Sequence, residues 1–151
     1  MTQEKSKNPK IWLSIPLCEA IYKKFRNYQA KNSLGEQLPP LNTRYPEKLE
    51  SLIGSVKLKS YLLSHDIHHI GATYYVKLAR SQVFLNGNKR MAVILTDLFF
   101  ELNQYNSKIH TWIDLADLTL LVSEDRQNTN KQIIELIVNI FKKIYIKKNN
   151  K

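Results

Sequence analysis

Gln82-Val83-Phe84-Leu85-Asn86-Gly87-Asn88-Lys89-Arg90, running straight into Met91-Ala92-Val93-Ile94-Leu95-Thr96-Asp97-Leu98-Phe99-Phe100-Glu101-Leu102-Asn103-Gln104, is the stretch on which the fold turns. Residues 91–104 are apolar around most of a helical circumference, broken only near Asp97, Glu101 and Gln104, which predicts a helix enclosed by others. On local pattern alone Asn86-Gly87 would also suit a type I′ hairpin turn. The apolar segment behind it is too long and unbroken for a typical strand, and Ala92, Leu95, Leu98 and Leu102 favour helix. The polar stretch therefore meets a helix N-terminus, where the first amides lack partners and the helix dipole is positive. Gly87 and its neighbours can turn several N–H groups toward one anion, Lys89 and Arg90 add charge, and arginine can hold two phosphate oxygens at once. Asn86, Gly87, Asn88, Lys89 and Arg90 are the candidate phosphate-binding residues.

Working outward, Ile67, Ile70, Tyr74 and Leu78 stack on one side of a helix predicted from Asp66 to Arg80. Ser14 and Pro16 open a first helix over about 15–30. Residues 33–46 hold three prolines and a glycine and read as a surface loop. A short helix over 46–52 follows, and then Ile53-Gly54-Ser55-Val56-Lys57-Leu58-Lys59 alternates at period two around a glycine, which predicts a small strand or hairpin. Two amphipathic segments, 114–124 and 131–146, flank the polar run 125–130. The expected architecture is an all-α bundle of about six helices around a buried central helix, with one small β-hairpin. A single domain over 14–146 is expected, with a polar tail over 1–13 and a basic tail over 147–151.

Length and charge narrow the function classes. At 151 residues one domain is expected, without a second catalytic domain. The formal charge is +10, but Lys5, Lys7 and Lys10 stand against Glu4 at one end, and Lys142, Lys143, Lys147, Lys148 and Lys151 stand without an acid at the other. Residues 11–141 keep 15 bases and 12 acids, so a dedicated nucleic-acid interface on the folded body is not favoured, and contact with nucleic acid is left to the basic ends. The first ten residues lack the apolar stretch of a signal peptide, and no run reaches the length of a membrane span; a soluble cytoplasmic protein is expected. The one cysteine, Cys18, lies on the apolar face of a helix start, where an inert buried thiol is the usual reading. His65, His68 and His69 have spacings a metal site could use, but only Asp66 is at hand to complete it, and a packing or surface role is preferred. Tyr74, Tyr75, Phe99, Phe100, Tyr105 and Trp112 read as core rather than base-stacking groups.

At the loop, Phe84, Gly87, Asn88, Lys89 and Arg90 resemble the signature of the Fic/Doc (Fido) family, and in particular its Doc (death-on-curing) branch, H-x-F-x-D-G/A-N-K-R. The resemblance extends over roughly residues 14–145. It implies an all-helical fold whose loop binds nucleotide phosphates, ATP or another nucleotide, beside an extended flap that aligns a target polypeptide; Ile53, Gly54, Ser55 and Val56 fall at the flap. Many relatives transfer AMP to a protein hydroxyl, whereas the Doc branch resembles a protein kinase of toxin–antitoxin type, with a translation factor as target and an antitoxin as partner. Lys89 points to that branch. Carried over, Asn88 and Arg90 would contact phosphate oxygens, Lys89 would add a cation, Gly87 would let the backbone approach, and Phe84 would pack the loop on the core. Two positions depart from the pattern. The family's catalytic histidine is Gln82, which has no useful basicity, and the acidic residue that helps hold Mg²⁺ is Asn86, which offers a neutral oxygen to a hard dication. The expectation is an impaired transferase or pseudoenzyme. The alternatives are an active kinase or AMP-transferase with another base, and a basic nucleic-acid-binding accessory protein.

Overall fold

A computed structural model describes residues 9, 11–32, 46–84, 87–109 and 111–148. The described helices are α1 (Ile15–Asn32), α2 (Pro46–Leu63), α3 (Ile67–Arg80), α4 (Asn88–Leu102), the single turn α5 (Thr111–Asp114), α6 (Ala116–Glu124) and α7 (Asn130–Ile144). Two three-residue strands, β1 (Tyr105–Ser107) and β2 (Tyr145–Lys147), pair antiparallel with Asn106 opposite Ile146. The all-α architecture is as the sequence predicts, and no described helix is long and apolar enough to cross a membrane.

Burial expected of residues 91–104 is shared with the preceding helix, which is the more enclosed of the two. Ten of the 14 residues of α3 are buried, against seven of 15 in α4. Small side chains explain the difference. Gly71, Ala72 and Ala79 let neighbours close on α3 from several sides, and a methyl group added at Gly71 would collide with the Phe100 ring. Phe100 in turn lies flat on Tyr145, with ring centroids 3.9 Å apart, so the middle of α3, the end of α4 and the start of β2 share one contact. Tyr75 reaches from α3 to α6 through a 2.6 Å hydrogen bond with the Thr119 hydroxyl. Caps are local: Asp66 accepts from the His69 amide at the start of α3, and Thr129 and Gln132 form a reciprocal capping box at the start of α7.

Three expectations are corrected. Residues 53–58 are not an extended flap: Ile53, Gly54, Ser55 and Val56 lie inside α2. Leu49, Leu52, Val56 and Ser60 are its buried positions, a spacing of three and four that only a helix satisfies, while Leu58, the partner the period-two reading needed, is exposed. Secondly, the chain leaves α7 after Ile144 instead of continuing helical to 146, because Tyr145 turns inward to stack on Phe100 and donate to Asp97 Oδ1 at 3.0 Å. The pairing of β2 with β1 draws Lys147 into the domain, and the Lys148 amide donates to the Gln104 carbonyl, so the basic tail cannot begin at 147. Thirdly, the domain begins earlier than residue 14: Leu13 is buried, and Ile11 exchanges two hydrogen bonds with the Asn103 side chain, at 3.0 and 2.8 Å. The loop predicted over 33–46 lies, but for Pro46, outside the described residues.

Candidate phosphate-binding site

The turn between α3 and α4 is built by backbone conformations that the sequence makes affordable. Ser81 closes α3, and Gln82 follows with φ 49°, a left-handed residue one step past the helix end. Glutamine adopts that region less readily than glycine, so the position is mildly strained. Val83 and Phe84 then turn into the core, and Phe84 stacks on Tyr22 of α1 with centroids 5.4 Å apart. Gly87 is the N-cap of α4 at φ 76°, ψ 24°, where a side chain would be disfavoured. Asn88 closes the turn on itself: its Oδ1 accepts from the Phe84 amide at 2.8 Å and its Nδ2 donates to the Phe84 carbonyl at 2.9 Å. The side chain expected to contact phosphate is therefore engaged in holding the loop, and one amide hydrogen is committed. Leu85 and Asn86 lie outside the described residues.

This turn borders a cavity of about 670 Å³ lined by Gln82, Gly87, Asn88, Lys89 and Arg90 together with Ala79, Arg80, Ser123, Glu124 and Arg126. Sequence reasoning missed the second set. Arg80 reaches across from the end of α3, donating to the carbonyls of Val122 at 3.2 Å and Asn128 at 3.4 Å. Arg126 rides on a turn that Asp125 organises by accepting from the Asn128 side chain and from the amides of Gln127 and Asn128. Those bonds hold the Asp125 carboxyl below its usual range, the Asn128 side chain contributing most. The polar composition of 125–130 was the available signal, but a polar connection is ordinary, and nothing local told which side of the bundle it would face.

Four cations, Arg80, Lys89, Arg90 and Arg126, thus border the cavity with one carboxylate, Glu124, among its described lining. Two of them stand in the first turn of α4, where the dipole is already positive and each added cation costs about 0.3–1 kcal/mol. Local choices that oppose the fold in this way concentrate at binding sites. An anion would relieve the conflict, and backbone amides, guanidinium forks and an ammonium group together supply the donors that phosphate oxygens accept.

Mg²⁺, which the resemblance implies, does not fit the residues present. A hard dication takes several oxygen ligands, with carboxylates to offset its charge. Among the described residues Glu124 is the one carboxylate bordering the cavity, and no cluster of His, Cys, Asp or Glu could hold a metal ion. Other candidate groups are engaged elsewhere. His65 and His69 stack on each other 3.7 Å apart, and His68 Nε2 bonds to the Tyr145 carbonyl at 2.8 Å. They sit at the far end of α3, about 20 Å along the helix from Gln82. Cys18 is fully buried, and burial pushes its thiol up to about 12, which favours the protonated form at neutral pH. A second hollow of about 480 Å³ adjoins the turn, where Ser81 and Val83 line it together with Ser51, Ser55 and Lys77.

Residues 12–100 match the Fic/DOC family profile, and the chain belongs to that family. The matched region takes in α1 to α3, the turn between α3 and α4, and α4 as far as Phe100. Transfer from a nucleotide, generally ATP, is the function of the family as a whole. No curated protein matches the chain.

Proposed function

We propose that this is a Doc-like member of the family, of toxin–antitoxin type, which binds nucleotide phosphates at residues 86–90 and has weak or no transferase activity. The observation that carries the binding half is the cationic cavity at the N-terminus of α4, bordered by the motif residues Gly87, Asn88, Lys89 and Arg90. Lys89 favours the branch that transfers a phosphoryl group over the branch that transfers AMP. Gln82 supports the second half. It lines the cavity at the position of the family's histidine and cannot take a proton from a target hydroxyl. Losing general-base help raises the barrier by roughly 3–5 kcal/mol. Glu124 is the one described carboxylate lining the cavity and the group through which residual activity would run. A target polypeptide would approach from the hollow at Ser55 and Lys77, which adjoins the same turn. The identity of the target as a translation factor, and of the partner as an antitoxin, rests on the family resemblance.

The test is transfer of label from ATP, labelled at the α or the γ phosphate, to proteins of a cell lysate. Wild-type protein should give no band above that of Arg90→Ala, and Gln82→His combined with Asn86→Asp should gain one. A wild-type band that vanishes in Arg90→Ala would show an active enzyme and overturn the second half of the proposal.

A further inference from the structure

Resting on phosphate binding at the turn, we infer that the cavity takes its polyphosphate ligand free of metal, with side-chain cations in the place of a divalent ion, and reads the phosphate chain rather than the base. Arg80 and Arg126 lie outside the loop motif and are brought to the cavity by the end of α3 and by the connection from α6 to α7. Their described hydrogen bonds go to neutral carbonyls, those of Val122 and Asn128 for Arg80 and of Ser123 and Asp125 for Arg126. These bonds fix the guanidinium groups without discharging them, although the nearby Asp125 carboxylate offsets part of the charge of Arg80. With Lys89 and Arg90 the described lining carries four positive charges against the one negative charge of Glu124, an excess that a polyphosphate chain can meet. A triphosphate half-neutralised by Mg²⁺ would meet the same cations with weaker attraction, and its metal would find Glu124 alone among the described lining carboxylates. The described lining also contains no aromatic side chain, so no stacking platform there selects a nucleobase.

Calorimetric titration of the full chain with ATP, GTP and inorganic tripolyphosphate, each in EDTA and in excess Mg²⁺, tests this. All three ligands should bind in EDTA with Kd values within about threefold of one another, the spread that ~0.6 kcal/mol produces. Mg²⁺ should weaken each at least fivefold or so, about 1 kcal/mol. Arg126→Gln should weaken all three in EDTA by up to about fivefold, the worth of an exposed charge contact. Binding of ATP that requires Mg²⁺, or of ATP without tripolyphosphate, or full affinity in Arg126→Gln, would overturn the inference and leave nucleotide binding standing. Silence with all three ligands in both buffers would remove the phosphate site itself.

Discussion

The two ends of the α3–α4 pair are finished in opposite ways. At one end Phe100, Phe141, Tyr145 and Tyr105 close on His68 in a buried aromatic cluster, clamped by the β1–β2 pairing and by the hydrogen bond from Tyr145 to Asp97. At the other end the chain turns through left-handed residues at Gln82 and Gly87, carries Lys89 and Arg90 into a helix N-terminus, and leaves a cavity beside them. One end is a buried aromatic cluster, and the other gathers four cations and one carboxylate around a cavity among its described lining. If ligand binds at the turn as proposed, stability and binding are separated along one pair of helices, and substitutions at the two ends should move different observables.

Phe100→Ala would separate them most sharply. The ring is fully buried between Gly71 and Tyr145, and its loss should cost about 3–5 kcal/mol in urea unfolding while leaving the ATP affinity of the folded fraction unchanged. An affinity loss matching the stability loss would show the two ends to be coupled. Asn88→Ala acts at the opposite end. Removing the two bonds to the Phe84 backbone should cost roughly 1–2 kcal/mol and weaken ATP binding, because the turn loses the staple that holds Gly87 in place. If ATP affinity survives, the turn is held by the packing of Phe84 on Tyr22 instead.

Acid should produce the smallest effect, confined to the aromatic end. Burial, with His69 close by, holds the His65 imidazole below its ordinary value of 6.5, and burial does the same for His69, while Asp66 opposes both shifts. The folded chain therefore takes up these protons less readily than the unfolded chain. Their contribution is fully present above about pH 6.5 and declines as the pH falls through that value toward the lower folded pKa. The thermal midpoint should drop between pH 7 and pH 5, and His65→Gln should reduce the drop. An identical decline in that variant would assign the acid sensitivity elsewhere.

Legibility in the sequence followed the range of the interactions involved. The helix beginning at the turn was readable because Gly87, Lys89 and the apolar run behind them act within a few residues of one another, and the family motif occupies the same short window. The end of α7 was misread as helix because Tyr145 and Ile146 continue the apolar pattern; what bends them out is Phe100, far away in the chain. The flap failed for a related reason. Seven residues around Gly54 fit period two and period 3.6 almost equally, and the contest is decided by Leu49 and Ser60, which lie outside that window.

The amino-acid order alone set the class of fold, the position of the turn and the charge carried by its residues, because helix propensity, glycine's left-handed freedom and fixed side-chain charge are local properties. Folding decided which other groups face that turn. Arg80, Glu124 and Arg126 come from segments with no sequence signal linking them, and they meet only because α3, α6 and α7 pack around a common core. Sequence position put the histidines at the start of α3, and long-range packing decided that His68 meets the Tyr145 carbonyl there.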